Sequence, residues 1–327
     1  MATATYAFRR LSFLVLMIWA AVTLNFIIPR LMPGNPAEIM LAHIGAKGPV
    51  TPALRSELAA SLGLPGGSLL SQYGQYLVNV THFRFGLSYA YFPQQVSALI
   101  RSSLPWTVLL VGVVTVISFA AGTAIGVAAA WYRNKRFDSI ATVSSTFVSS
   151  FPFFWTGLLL LYIFAFRLGW FPLSGGSSDS PSWSLSFIGS ALQHSVLPGL
   201  TIFISGLGAW ALGMRNYTIN VLGEDFIKFA QANGVRTRIM LTRYAMKNAV
   251  LPQLTVFAII FGNVVGGSLL VEEVFGYPGV GTLLYNAIFN LDYPLMQALF
   301  LIITMSVLLA NFLVDMVHVR LDPRIAR

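Results

Sequence analysis

The sequence predicts an all-α polytopic membrane protein with six transmembrane helices, and three observations carry that prediction. Only 9% of the 327 residues are charged and 56% are hydrophobic, whereas a soluble chain carries roughly 25% charged residues. Six windows of 19 residues or more hold no Asp, Glu, Lys or Arg and carry a long apolar run: 11–29, 102–132, 139–166, 180–214, 248–271 and 293–314. Finally, Lys and Arg concentrate in alternate segments between these stretches. A helix rises ~1.5 Å per residue and the hydrocarbon core is ~30 Å thick, so about 20 apolar residues suffice to span it.

Taken in order, the expected spans are 11–29, 104–132, 139–166, 196–214, 249–271 and 293–315. The fourth starts late because its window opens on the polar run Ser180 to Ser186. Phe8-Arg9-Arg10-Leu11-Ser12-Phe13-Leu14 has the look of a twin-arginine export signal. Its apolar part is long enough to span and no small-x-small cleavage site closes it, so a retained first helix is expected. With Arg9 and Arg10 inside, the short segments carry 14 Lys or Arg on the inner side against one, Arg167, on the outer side. The positive-inside rule then places both termini in the cytoplasm. Segment 30–102 falls outside and segment 215–247 inside, and the whole chain 1–327 reads as one transmembrane domain.

The outer segment carries helix punctuation of its own, which predicts a folded helical cap. Thr51 can cap a helix with Pro52 at its first position, Leu54, Leu58 and Leu62 share a face, and Gly63 suits its end. Leu70, Tyr73 and Leu77 repeat that pattern, and Pro93 followed by Val96, Leu99 and Ile100 predicts an amphipathic helix at the interface before the second span.

Several chemistries are excluded. There is no cysteine, and the four His at 43, 82, 194 and 318 are scattered, so neither thiolate chemistry nor a metal centre is expected. The net charge of +9 comes from cations flanking spans and predicts no nucleic-acid partner. Lys, Arg, Asp and Glu are absent from all six windows, which argues against an ion-coupled secondary transporter. No convergent set of nucleophile, base and ligands suggests a membrane enzyme, and neither a catalytic site nor a cofactor is expected.

The most informative segment lies between the fourth and fifth spans. Glu224 and Asp225 open a helix where acids suit the dipole, and Gly234 stops it about ten residues later. Such a helix is marginal alone. Phe226, Phe229 and Ala230 fall at i, i+3 and i+4, which leaves an apolar ridge to be covered either by the chain's own helix ends or by a cytosolic partner. A second candidate follows the fifth span. Glu272 and Glu273 stand before the turn formers Gly276, Pro278, Gly279 and Gly281, so an external or re-entrant loop is expected, with apolar Val274, Phe275 and Tyr277 gaining from cover by a partner. Adjacent acids point apart on a helix, which disfavours a paired-carboxylate site. Gly122-x-x-x-Gly126 and Gly262-x-x-x-Gly266 predict close helix packing. Asp315 pairs with a cation or reaches the headgroups, and the aromatic cluster Phe147, Phe151, Phe153, Phe154 and Trp155 faces lipid, other helices or a substrate path.

Ala230-x-Ala232-x-Gly234 followed by Asn248-Ala249-Val250-Leu251-Pro252 resembles the cytoplasmic signature loop of ABC importer permeases of the oligopeptide/dipeptide branch. The resemblance runs along nearly the whole chain. It takes in Leu31-Met32-Pro33-Gly34-Asn35-Pro36-Ala37, Leu62-Gly63-Leu64-Pro65, Leu104-Pro105-Trp106-Thr107, Ser150-Phe151-Pro152-Phe153-Phe154-Trp155 and Leu168-Gly169-Trp170-Phe171-Pro172. It continues through Glu272-Glu273-Val274-Phe275-Gly276-Tyr277-Pro278-Gly279, Asp292-Tyr293-Pro294 and Leu321-Asp322-Pro323-Arg324-Ile325. Lys228 and Phe229 depart from the broader importer motif, which has Glu and Ala at those positions.

The resemblance implies a type I ABC importer permease fold in a bacterial or archaeal plasma (inner) membrane. It implies a second homologous permease subunit, two cytosolic ABC ATPase subunits and an external substrate-binding protein. Short peptides are the expected cargo, with oligosaccharides or nickel complexes as the alternatives. Glu224, Asp225, Phe226, Phe229, Ala230, Ala232 and Gly234 become the expected ATPase-coupling residues. Glu272, Glu273, Val274, Phe275, Tyr277, Pro278 and Gly279 become the expected external contact. The chain contains no Gly-Lys dipeptide and hence no Walker A loop, so ATP hydrolysis must come from partner subunits.

Overall fold

The computed structural model describes residues 2–31, 68–266 and 269–321. The helix expected around Thr51 to Gly63, the motifs at 31–37 and 62–65 beyond Leu31, and the motif after Leu321 lie outside the described residues, as does the side chain of Asp315. Among the described residues the regular structure is helical: α1 (Ala2–Leu31), α2 (Leu69–Thr81), α3 (Val96–Trp131), α4 (Arg136–Ser150), α5 (Phe153–Arg167), α6 (Leu185–Leu222), α7 (Asp225–Ala232), α8 (Thr237–Gly266), α9 (Leu269–Val274), α10 (Val280–Phe289) and α11 (Tyr293–Leu321). Among the described residues five helices are long and apolar enough to cross a membrane, and the bent pair α4–α5 makes up to six.

Contacts sort into two compact units, the first formed by residues 1–107, 265–269 and 278–327. Its core joins the opening turns of α3 to α10 and α11 through Val96, Leu99, Ile100, Leu283, Leu295 and Leu299. Two expectations change here. Val96, Leu99 and Ile100 do not form a separate interfacial helix, because Val96 begins α3 itself and all three are buried against protein. In α2, Leu70 is exposed, and it is Tyr73 and Tyr76 that turn toward α1. The Tyr73 hydroxyl lies 2.7 Å from the Thr23 hydroxyl, and the Asn25 amide donates to the Tyr76 hydroxyl at 3.0 Å and to the Gln297 carbonyl at 2.7 Å. Gln297 returns a bond to the Asn25 carbonyl at 3.2 Å. A buried amide in an apolar helix is costly unless paired, and this reciprocal pair fixes the register of α1 on α11.

Asp292 caps α11, accepting from the Leu295 N–H at 3.2 Å, while its other oxygen takes the Ser88 hydroxyl and the Ala90 N–H. The carboxylate is fully buried. Burial and the nearby Asp292 charge push the Tyr89 phenol up to about 12, so it stays neutral at physiological pH. At the start of α10, Gly279 has no side chain to offer, and the orphan N–H of Val280 is taken by the Thr107 hydroxyl at 2.7 Å.

The second unit comprises residues 108–264 and 270–277. At its centre is α6, which begins at the Ser184 cap and runs 38 residues to Leu222. The helix thus starts eleven residues before the apolar stretch expected from Val196, because Ser184 accepts from the Phe187 N–H and ends the serine-rich run. The expected third span is two helices meeting at 91°. Pro152 causes the break: it starts α5, and Phe151 before it is held extended at φ −85° and ψ 135°.

The close approach predicted for Gly122-x-x-x-Gly126 is present, with α3 and α6 so near that a Cβ on either glycine would run into the Trp210 Cβ or the Ala211 carbonyl. Gly126→Val is therefore expected to separate the two helices and cost about 3 kcal/mol by overpacking, read as a lower melting temperature of the detergent-solubilised chain. Where α4 meets α6, Asp138 and Arg215 form a two-pronged ion pair at 2.5 and 3.0 Å. Asp138 also accepts from the Asn134 N–H and the Thr142 hydroxyl, so this buried charge is fully partnered.

Candidate functional site

The segment joining α6 to α8 holds the residues expected to couple to an ATPase. After Gly223 the chain turns at Glu224, whose extended backbone starts α7 without a side-chain cap. Asp225 in the first turn complements the helix dipole and reaches Lys228 at 2.8 Å. Both partners are mostly exposed, so this pair adds little. The other end is closed firmly. Val235 N–H returns to the Ala230 carbonyl at 3.1 Å and Gly234 N–H to Gln231 at 3.0 Å, with Gly234 at φ +74°. Those two bonds make a Schellman ending, for which glycine is the least strained residue. A Cβ at Gly234 would meet open space, so the strain of Gly234→Ala is confined to the backbone. It is expected to cost ~1 kcal/mol and to speed amide exchange across 225–235 about fivefold.

Burial divides α7 into two faces. Ile227 and Ala230 are buried, and Ile227 packs with Met240 and Ala245 while Val221, Leu222 and Val235 close around them. The expected ridge of Phe226, Phe229 and Ala230 is accordingly corrected. Ala230 belongs to the inner face, because the intramolecular anchor runs through Ile227 and Ala230 at i and i+3. Phe226 is 42% exposed and Phe229 is 73% exposed, and they form the outer face, with Ala232 also exposed. The chain's own helix ends cover one side of α7 and leave two phenylalanines uncovered. The first turns of α8 that receive the anchor include a π-helical stretch, Met240–Ala245.

The expected external site is rearranged more strongly. Glu272 and Glu273 do not begin a loop; they sit in α9, which ends at Gly276 (φ +55°) in a second Schellman closure, Tyr277 N–H to the Glu272 carbonyl at 2.8 Å and Gly276 N–H to Glu273 at 3.1 Å. Phe275 and Tyr277 are covered by their own chain. Phe275 packs with Ala165, Leu197 and Val271, its carbonyl accepts from Gly175 N–H at 3.0 Å, and the Tyr277 hydroxyl lies 3.0 Å from that of Ser195. Burial raises the Tyr277 phenol above its ordinary range. Glu272 and Gly279 are buried as well, so only Glu273, Val274 and Pro278 keep partial exposure among the seven residues expected at a partner. Of the aromatic residues at the α4–α5 bend, Phe147, Phe151, Phe153 and Trp155 are exposed, Phe147 at 64% and Trp155 at 55%, and Phe154 is half-buried. Among the described residues no group of three or more His, Asp or Glu is arranged to hold a metal.

The described residues thus form a polytopic helical chain with a short, capped helix, α7, that is anchored on one face and exposes Phe226 and Phe229 on the other. The model of the family described as binding-protein-dependent transport system inner membrane component matches residues 122–327, and the chain belongs to that family. It is 32% identical over 320 residues to the glutathione transport system permease protein GsiC of Salmonella choleraesuis, covering 98% of each chain. It is 29% identical over 322 residues to the oligopeptide transport system permease protein AppB of Bacillus subtilis, covering 98% of this chain and 99% of that one. The protein is thus a permease subunit of an ABC importer, working with ATPase partners and a binding protein, and not itself an enzyme.

Proposed function

We propose that this chain is one of two homologous permeases forming the path for short peptides in an ATP-driven importer of a bacterial or archaeal inner membrane. In this reading two cytosolic ATPases dock on α7, and an external binding protein delivers the cargo. The observation that carries it is the pair Phe226 and Phe229, left exposed on a helix whose other face is anchored by Ile227 and Ala230. Two uncovered phenylalanines at i, i+3 suit insertion into a groove. The anchor lets a push on α7 pass through Ile227 into Met240 and α8 and through Leu222 into α6. The names of the relatives, one an oligopeptide and one a glutathione permease, support a peptide cargo.

Both termini cytoplasmic, the segment 30–102 outside and 215–247 inside complete the proposal, supported by the charge count of 14 against one. A reporter active only after export should give signal near residues 60, 178 and 285 and none near 135 or 235; signal at 235 would reverse the scheme. Glu273, Val274 and Pro278 are the part of the second site that we assign to contact with the binding protein or the companion permease.

The test of function is reconstitution by omission. Vesicles containing both permeases, both ATPases and the binding protein should take up labelled alanine di- to pentapeptides only with ATP, and removing this chain should abolish uptake. Peptide uptake by this chain alone, driven by an ion gradient, would contradict the reading.

A further inference from the structure

Within the second unit, α3, α6 and α8 line a half-open cavity of about 260 Å³. Its walls are apolar where Ile202, Val256 and Ile260 contribute, but Thr115, Ser118, Trp210, Tyr217 and Gln253 also line it. Gln253 is only 2% exposed. Its Nε2 donates to the Trp210 carbonyl at 2.9 Å, which fixes the carboxamide, and among the described residues its Oε1 has no partner. Among the described residues the Thr115 hydroxyl, the Tyr217 hydroxyl and the Trp210 indole N–H, which line the cavity, likewise make no hydrogen bond. Ser118 is committed to the Phe203 carbonyl. Gly213 keeps the carboxamide open, since a Cβ there would stand 3.0 Å from Gln253 Oε1.

These groups specify a ligand class. None of the lining residues is charged, so a free carboxylate, ammonium ion or metal would find no counter-charge. A lipid tail would leave one acceptor and three donors unmatched in an apolar setting, where unpaired polar groups are disfavoured. A main-chain amide offers one donor and one acceptor whatever side chain it carries. Gln253 Oε1 can take its N–H, while Thr115, Tyr217 or Trp210 can give to its carbonyl. The volume lies just below the ~300 Å³ at which sites for whole small molecules begin, and so suits a segment in passage more than a stored ligand.

We propose that this cavity is a station on the import path that holds the main chain of the passing peptide, with Gln253 as acceptor and Thr115, Tyr217 and Trp210 as donors. It rests on the peptide reading above and assigns to that path residues chosen by their polarity and burial.

The experiment uses the complete reconstituted transporter, the alanine di- to pentapeptide mixture as probe, and paired measurement of uptake and of ATP hydrolysis stimulated by the binding protein. Gln253→Leu should lower uptake at least tenfold and the double variant Thr115→Val with Tyr217→Phe at least fivefold. Stimulated hydrolysis should stay within twofold of the unaltered protein, so that fewer peptides cross per ATP. The double variant removes hydroxyls with no partner among the described residues, which makes it decisive if Gln253→Leu also disturbs assembly. As a contact test in this cysteine-free chain, Thr115→Cys should react with bromoacetyl-tetraalanine during ATP turnover and be protected by excess tetraalanine, whereas the 64% exposed Leu109, as Leu109→Cys, should not react.

Unchanged uptake and unchanged peptide-to-ATP ratio in the double variant would overturn the proposal. Reaction of Thr115→Cys with a small water-soluble reagent but not with the peptide would overturn it in favour of a water-filled cavity, and crosslinking of that cysteine to the companion permease in favour of a subunit contact. If the unaltered transporter imports none of the peptides, the peptide reading falls and this inference with it. If it imports them while the variants are indifferent, only the cavity assignment falls.

Discussion

Replacing Phe226 and Phe229 together by serine should abolish ATP-driven uptake while leaving the chain in the membrane at its normal level. These side chains are 42% and 73% exposed, so the chain's own fold owes them little. A receiving ATPase would owe them much, because burying a phenylalanine contributes ~1.5–3 kcal/mol and two such anchors together outweigh a hundredfold change in affinity. Ile227→Asp makes the complementary case. Ile227 is 2% exposed among Met240 and Ala245, so a charge there has no partner and should release α7 from its anchor. The serine pair should lose ATPase in pull-down with an unchanged melting temperature; Ile227→Asp should lose both. Ala230→Asp should resemble Ile227→Asp, since Ala230 is buried on the same inner face.

Asp292→Ala is expected to destabilise the first unit most. The carboxylate is fully buried and accepts from the Ser88 hydroxyl and from the N–H groups of Ala90 and Leu295. Removing it leaves buried donors unpaired at ~1–3 kcal/mol each and strips the cap from α11. A total near 4 kcal/mol is expected, enough to lower both the melting temperature and the recovered yield. Asp292→Asn keeps the shape and an acceptor oxygen, and should recover about half the loss. If alanine matches the unaltered protein in melting temperature, the clamp has no energetic role.

What was legible in the sequence followed from local chemistry. Uncharged runs located the apolar helices because a charge in hydrocarbon is expensive. Gly234 marked the end of α7 because its positive φ is a local requirement, and Gly122 and Gly126 marked a close helix contact because only a missing Cβ permits it. The segment 224–234 was legible as a helix, but its inner face was not. Phe226, Phe229 and Ala230 satisfy the same spacing rule as Ile227 and Ala230, and only the position of Met240 decides which face is covered. The second site misled for a related reason. Its glycines and proline announced turns, yet Phe275 and Tyr277 are covered by Ala165, Leu197 and Ser195, residues some eighty to over one hundred positions earlier in the chain. Pairings at such separations leave no periodic trace. Asp138 with Arg215, Ser88 with Asp292 and Asn25 with Gln297 are each polar residues with no visible partner in the sequence until the fold joins them. Gln253 was hidden in the same way, one of three side-chain amides, with Asn248 and Asn263, inside a charge-free window.

The coupling role of α7 is tested most directly by disulfide trapping. The chain has no cysteine, so Phe229→Cys introduces a single thiol on the outer face, and Ala232→Cys a second in a separate variant. Paired with cysteines scanned across the membrane-facing surface of the ATPase, Phe229→Cys should form a crosslink under mild oxidation, and that crosslink should block both hydrolysis and uptake until reduced. No crosslink from Phe229→Cys or Ala232→Cys to any ATPase position, in a transporter that still imports peptide, would contradict the assignment of this helix as the docking element.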